Sequence, residues 1–436
     1  MSGERKDKNA ILKKLGIEEL NQMQHDAFTA IQRSNNVVLL SPTGTGKTLA
    51  FLLPLIAQLD VTNQHVQLLI VAPSRELAIQ IEQVTREMGS GFKVNVVYGG
   101  RAIAKDFIDL DTPPAILIGT PGRLADHLSR ESFSVDHIAA IVLDEFDKSL
   151  EIGFEEEMEF ILTDIPNIKK RILTSATDMI NIPKFVGIDS VETISYLDSG
   201  LAKLQVKKIV SPEKDKLDIL VKALCHIGNK PGIIFCNYKE SIQRVSDHLT
   251  EHKISHGCFY GGMEQKERER ALIKFRNGTH QILLATDLAA RGIDVPEIGY
   301  IIHYHLPIRK QEFTHRNGRT ARMNRDGIAY VLVWKNDELP EFLIDLHEEI
   351  LEKKPNPDSP SWSTVFVSGG RKDKISKGDI AGLFFKQANL AKEELGIIEL
   401  KQDCTFVAVH KSKVKHTIQK LNNSKIKKRK VRVYEI

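Results

Sequence analysis

The sequence predicts two tandem α/β domains built on parallel sheets, followed by a small α+β domain. Short aliphatic and β-branched runs alternate with longer amphipathic stretches, the pattern of buried parallel strands joined by crossover helices. This alternation begins, lapses near residue 200 and begins again. A Pro-, Asn- and Ser-containing stretch, Lys354-Pro355-Asn356-Pro357-Asp358-Ser359-Pro360, then reads as a linker to a segment of different element order. The 436 residues are enough for about three domains of roughly 150 residues.

In the first half the predicted strands are Asn36 to Leu40, Gln67 to Ala72, Lys93 to Tyr98, Ala115 to Gly119, Ala139 to Leu143 and Arg171 to Thr174. The second series runs through Gly232 to Phe235, Ser255 to Phe259, Gln281 to Ala285, Tyr300 to Tyr304 and Gly327 to Trp334. Leu197 to Val210 lacks helical periodicity and is read as an interdomain hinge. Beyond the linker, strands at Thr364 to Gly369 and Cys404 to Val409 flank helical patterns at Gly378 to Ala388 and Lys411 to Leu421, an order that predicts a βαββαβ domain. The boundaries drawn are 1–205, 206–354, a linker at 355–361, and 362–436.

An apolar fraction of 42 % and a charged fraction of 27 % exclude wholesale disorder and a fibrous architecture. Cys225, Cys236, Cys258 and Cys404 form no C-x-x-C pair, which argues against a zinc knuckle or disulfide framework and for a reducing cytoplasm. A polar N-terminus and the lack of a membrane-length apolar stretch lead to the expectation of neither secretion nor membrane insertion. The net charge of +4 conceals an asymmetry: Ser361 to Ile436 carries 17 Lys+Arg against 7 Asp+Glu, a net +10, leaving a net −6 before it. A polyanionic partner at the C-terminus is one reading of that excess, a solvated Lys-rich surface the other.

Ser41-Pro42-Thr43-Gly44-Thr45-Gly46-Lys47-Thr48 follows a predicted strand and opens a helix, the context of a phosphate-binding loop. Gly44 and Gly46 let backbone N–H groups turn toward a phosphate, Lys47 supplies a charge, and the Thr48 hydroxyl can ligate magnesium. Ser41 stands where the usual pattern has its first glycine. Ile141-Val142-Leu143-Asp144-Glu145-Phe146-Asp147 places carboxylates just after an apolar strand, where parallel sheets bind ligands. Asp144 is positioned to hold magnesium, and Glu145 to orient or deprotonate an attacking water.

With these sites in place, residues Gly16 to Trp334 resemble a DEAD-box RNA helicase of superfamily two. Gly16 and Gln24 match the adenine-reading glutamine motif. Pro73-Ser74-Arg75-Glu76-Leu77-Ala78, Gly99-Gly100, Thr120-Pro121-Gly122-Arg123 and Ser175-Ala176-Thr177 follow in the family's order. Phe235, Gln265-Lys266-Glu267-Arg268, Ala285-Thr286-Asp287, Arg291-Gly292-Ile293-Asp294 and His315-Arg316-Asn317-Gly318-Arg319-Thr320-Ala321-Arg322 complete the set. The resemblance implies two RecA-like domains, ATP and Mg²⁺ as cofactors, and Arg319 and Arg322 as arginine fingers. It implies Asp294 at the ribose, and Asp147, Ser175, Thr177 and His315 as interdomain couplers. It also implies RNA-backbone contacts from Arg75, Gly100, Thr120, Gly122, Arg123, Gln265, Arg268 and Thr286, which carry affinity without sequence information. Departures from the pattern are Phe146 for the name-giving alanine, Asp7 at the upstream aromatic position, His305 for the usual aspartate and Ala321 for a glycine.

The last segment resembles the RNA-recognition-motif-like (RRM-like) domain of DbpA-type bacterial DEAD-box proteins, on Gly369 to Lys372 and the Lys-rich Lys425 to Arg432. Phe366 and Phe406 fall at base-stacking positions of that fold, with core packing as the alternative, and Lys427, Lys428 and Lys430 are candidate RNA contacts. The expectation is therefore a monomeric, cytoplasmic, ATP-dependent RNA helicase acting on structured ribosomal RNA (23S rRNA) in pre-ribosomal particles. The competing readings are an ATP-gated RNA clamp or chaperone with little unwinding, a general RNA helicase of mRNA turnover or cold response, and a DNA helicase.

Overall fold

A computed structural model describes residues 7–178, 181–197, 204–287, 298–307, 309–320 and 327–436. The chain divides into two compact units, the first ending at Leu201. In the first unit, β1 (Asn36–Leu40), β2 (Leu68–Val71), β3 (Val94–Val97), β4 (Ile116–Gly119), β5 (Ala140–Leu143), β6 (Lys170–Ser175) and β7 (Glu192–Ser195) form one sheet in the order β3-β4-β2-β5-β6-β1-β7. Every pairing is parallel. The four-residue cores of β2, β4 and β5 are buried throughout. Burial on both faces explains why these strands appear in the sequence as unbroken aliphatic runs rather than alternations.

The second unit repeats the plan. Its strands β8 (Leu204–Ser211), β9 (Gly232–Phe235), β10 (His256–Phe259), β11 (Ile282–Ala285), β12 (Tyr300–His303), β13 (Gly327–Trp334) and β14 (His347–Glu348) take the order β10-β11-β9-β12-β13-β8-β14. The division between the units falls within the segment predicted as a hinge, Leu197 to Val210, but from Leu204 onward that segment is β8, paired with β13 over eight residues from Leu204↔Gly327 to Ser211↔Trp334. Helical periodicity is absent there because the segment is a strand of mixed burial, which also lacks an aliphatic run to announce it. β7, whose residues alternate between half-buried and exposed, escaped for the same reason.

The second unit also contains the C-terminal module. β15 (Trp362–Val367), β16 (Leu395–Leu400), β17 (Thr405–His410) and β20 (Val433–Glu435) make an antiparallel sheet ordered β16-β17-β15-β20, with β18 (Lys425–Ile426) and β19 (Arg429–Lys430) as a separate hairpin. The helices Lys377–Gln387 and Val414–Leu421 complete the expected βαββαβ order. Val365, Val367, Val407 and Val409 point into its core with Ile380, Phe384 and Leu421.

The linker before this module is pinned rather than free. Asn356 donates to the His252 carbonyl at 2.7 Å, and Asp358 N–H donates to Asn229 Oδ1 at 2.7 Å. Arg276, ending the helix Gln265–Arg276, donates two hydrogen bonds to Glu399 of β16, at 2.6 and 2.9 Å. Thr279 and Thr364 hydroxyls meet at 2.7 Å, and Asn277 lies 3.3 Å from the same Thr364 oxygen. Thr364 lies outside the module's core cluster and has no exposed surface, its hydroxyl meeting Asn277 and Thr279 of the α/β domain.

Candidate active site and nucleic-acid interface

Strand order divides the carboxyl edge of the first sheet into two halves. β5, β6 and β1 are neighbours, and the phosphate loop, Ser175-Ala176-Thr177 and Asp144-Glu145 all leave their ends. Register aligns them, with Leu40↔Ser175 and Leu143↔Leu173 paired. Gly44 and Gly46 have left-handed φ of 87° and 90°, and a Cβ on Gly46 would lie 2.5 Å from Gln24 Nε2. Glycine at 46 therefore serves both the turn and the close approach of Gln24. That glutamine donates to the Gly46 carbonyl at 3.3 Å, and its Oε1 accepts from Asn21 N–H at 3.1 Å. Ser41 is fully buried and donates to Thr45 Oγ1 at 2.8 Å, bracing the loop where the usual pattern carries glycine. Lys47 opens the helix Lys47–Ile56 and donates to the Pro42 carbonyl at 2.9 Å and to that of Ser41. Thr43, Thr45 and Thr48 remain partly exposed along the loop.

Asp144 is buried, and its carboxyl is pushed up to about 6, by burial first and by the neighbouring Glu145 charge second. Thr174 and the Glu145 N–H donate to it. Glu145 has φ 47° and ψ 51°, a left-handed conformation that costs a non-glycine residue about 1 kcal/mol or more. Phe146 has no exposed surface and belongs to the core around Leu143 and Leu173, so the departure from the family's alanine is taken up by packing. Asp147 accepts from Thr177 Oγ1 at 2.7 Å, and Ser175 Oγ accepts from Thr177 N–H at 3.0 Å. Asp7, in place of the upstream aromatic, caps the helix Lys8–Leu15 by accepting from Ala10 N–H at 2.7 Å.

The other half of the same edge, β2, β4 and β3, carries Arg75, Thr120 to Arg123, and Gly99-Gly100. Val71↔Gly119 and Val97↔Gly119 are paired. Arg75 begins the helix Arg75–Met88, capped by Ser74, and its guanidinium lies against Gly100, whose φ is 87°. Thr120 precedes the helix Pro121–Ser129, which places Gly122 and Arg123 in its first turn.

In the second unit Gln265 begins the helix Gln265–Arg276, and the Arg268 guanidinium lies 4.9 Å above the Phe259 ring. Thr286 N–H donates to the Phe259 carbonyl at 3.3 Å. His315 is half-buried on the helix Lys310–Asn317, and Arg319 just beyond it is buried. Arg316, given no role from the sequence, is the hub of this edge. It makes a two-point ion pair with Asp287 and donates to Asn237 Oδ1 at 2.8 Å and to the His305 carbonyl at 2.9 Å. Burial, with the charges of Lys216 and Arg316, lowers the His305 imidazole to about 4, so a neutral ring stands where the family usually carries aspartate. Asp294 and Arg322 lie outside the described residues.

On the C-terminal module the expected pair Phe366 and Phe406 is revised. Phe406 is buried, edge-on to Phe366 at 5.6 Å. The exposed partner of Phe366 is Tyr434, 4.7 Å away on β20. The antiparallel pairing Phe366↔Tyr434 brings them together across 68 residues, which no local pattern reveals. Lys427, Lys428 and Lys430 are all exposed on the β18–β19 hairpin, and Lys427 also pairs with Asp379 at 2.8 Å.

Three families match consecutive parts of the chain: DEAD/DEAH box helicase over 21–183, Helicase conserved C-terminal domain over 215–324, and DbpA RNA binding domain over 364–435. The DEAD-box ATP-dependent RNA helicase CshA of Geobacillus kaustophilus is 32 % identical over 84 % of this chain and 79 % of its own. The chain belongs to the DEAD-box ATP-dependent RNA helicases. Within that family, the ATP-dependent RNA helicase DbpA of Bacillus subtilis is 29 % identical over 97 % of this chain and 96 % of its own. Among solved DEAD-box structures, S. cerevisiae Dbp5 bound to RNA and ADP BeF3 is 25 % identical, with a TM-score of 0.66 over 76 % of this chain and 88 % of that one. Mss116p bound to ssRNA and AMP-PNP is 26 % identical, with a TM-score of 0.67 over 76 % and 73 %.

Proposed function

We propose that this helicase hydrolyses ATP on the β5-β6-β1 half of its first carboxyl edge and grips RNA backbone on the β2-β4-β3 half. Its task is to remodel structured RNA, with large-subunit ribosomal RNA in assembling particles as the target. The division of one sheet edge between phosphate-loop and arginine-bearing loops carries the reading. Dbp5 and Mss116p, related structures with RNA and an ATP analogue together, support it. The ribosomal target is supported by the DbpA-type module and its basic hairpin.

Gly44 and Gly46 free the loop N–H groups for phosphate oxygens, and Lys47 moves from the loop carbonyls to the nucleotide. Gln24, anchored to Gly46, senses the base. Asp144 and Thr48 fit a magnesium ion: a desolvated carboxyl whose charged form burial disfavours is one that a cation would restore, and the hydroxyl stands at the opening of the loop's helix. Magnesium there would neutralise phosphate charge. Glu145 orients the attacking water and accepts its proton, while Arg319 and Arg322 supply positive charge to the γ-phosphate and Asp294 binds the ribose. Asp147, Ser175, Thr177 and His315 tie hydrolysis to RNA. On the RNA side, Arg75, Gly100, Thr120, Gly122, Arg123, Gln265, Arg268 and Thr286 hold backbone, and 2′-hydroxyl contacts select RNA over DNA.

ATP turnover measured without nucleic acid and with single-stranded DNA, total RNA and ribosomal RNA tests this. Strong stimulation by ribosomal RNA at the lowest concentration is expected. Equal stimulation by all RNAs would remove the ribosomal target, and stimulation by DNA would remove the RNA path.

A further inference from the structure

Asp106 has no exposed surface, although it is a carboxylate in the first turn of the helix Ile103–Leu110. A buried carboxylate is costly unless cations and hydrogen bonds compensate it. Here Arg101 Nη1 lies 3.1 Å from Oδ1, while His127 Nε2 and Arg123 Nη1 lie 3.2 and 3.5 Å from Oδ2. Arg123 and His127 are four residues apart on the helix Pro121–Ser129, so one helix face presents both to the carboxylate. His127 is itself buried, and its Nδ1 faces Ser132 Oγ at 3.1 Å, which fixes the ring from behind.

The two arginines are used differently. Arg101 donates to the Val96 carbonyl at 3.1 Å and to Asp109 as well as meeting Asp106, so its guanidinium is committed to the protein. Its own carbonyl, just past the left-handed Gly100, accepts from Arg123 Nη2 at 2.6 Å. Arg123 is thereby held at two points, by a carboxylate and a carbonyl, and its planar fork has further N–H donors to offer. Its side chain keeps 11 % of its surface exposed against 22 % for Arg101, so spare N–H donors rather than exposure distinguish it, on the arginine-bearing half of the sheet edge.

We propose that Asp106, backed by His127, is a positioning residue for RNA binding: it fixes the Arg123 guanidinium for a passing phosphate and touches no RNA itself. This rests on the RNA path proposed above. An arginine held in its binding rotamer before RNA arrives loses less freedom on binding, so the carboxylate acts through affinity for RNA rather than through chemistry at ATP.

The test is RNA-stimulated ATP turnover of the full chain with a single-stranded RNA. Asp106→Asn should raise the RNA concentration for half-maximal stimulation by about tenfold, with turnover at saturating RNA little changed. Arg123→Ala should give a similar rise, and the double variant no more than Arg123→Ala alone. Independent, multiplying effects would show that Asp106 acts through the fold and would overturn the proposal. No effect of Asp106→Asn beside a clear effect of Arg123→Ala would overturn the positioning role alone. No effect of Arg123→Ala would instead overturn the RNA path. Should Asp106→Asn fold poorly, His127→Gln replaces it, with an expected rise of about threefold that vanishes in the Arg123→Ala background; a rise that persists there, or no rise at all, counts against the proposal.

Discussion

Glu145 sits in a left-handed backbone conformation while its N–H is divided between Asp144 and Thr174 Oγ1, at 3.2 and 3.1 Å. Strain of this kind persists where surrounding bonds over-determine it, and here it fixes Glu145 at the end of β5, with β6 between it and the phosphate loop's strand β1. Glu145→Gln should keep ATP binding and slow hydrolysis by on the order of a hundredfold, since an amide of the same size cannot accept a proton; single-turnover kinetics would check it. Gly46→Ala should weaken ATP binding by more than about tenfold, because the added methyl meets both an unfavourable φ and the Gln24 amide. Nucleotide titration decides this, and unchanged affinity would mean that Gln24 does not need the close approach. The residue types of this site were legible because phosphate binding restricts the local chemistry so tightly. Arg316 was not, because its partners Asn237, Asp287 and His305 come from three different strand ends.

Buried strands such as β2, β4 and β5 were legible from sequence, since burial on both faces forces a continuous aliphatic run. β7, β8 and β14 were not, because mixed or exposed positions leave no such run. The linker shows a further limit: its composition indicates a break between domains but not the side-chain bonds that pin Asn356 and Asp358. Nor did sequence show the helix end at Arg276 meeting Glu399, a carboxylate kept charged below its usual range by Arg276 and Lys401 against the effect of burial. A double-mutant cycle of Arg276→Ala and Glu399→Gln should return a coupling of about 1 to 3 kcal/mol in thermal melts, as expected for interacting charged partners. Additive effects would mean that the two surfaces lie together without this pair contributing.

Across the whole chain, titration should separate the two units. His303, His280 and His305 all lie in the second unit, and burial lowers them to about 3, 4 and 4. Depressed histidines bind protons first in the unfolded state, so their contribution is present above pH 6.5 and lost as pH falls toward those values, by about 2 kcal/mol each at pH 5. Asp144, raised in the first unit, has the opposite sign: its burial is least costly once it is protonated. Thermal melts at pH 7.5 and pH 5 should therefore show the second unit losing more stability than the first, and the reverse order would contradict the assignment. The charge asymmetry adds a second expectation: reversing Lys428 and Lys430 on the exposed hairpin should flatten the salt dependence of RNA binding by about 0.7 per lost phosphate contact. If ATP drives RNA strand separation, the full chain should release the shorter strand from a short RNA duplex, and that release can be measured. ATP should support release and ADP should not, Glu145→Gln should abolish repeated turnover, and a matching DNA duplex should stay paired. Release at equal rates with ATP, with ADP and with no nucleotide would mean that ATP does not drive separation.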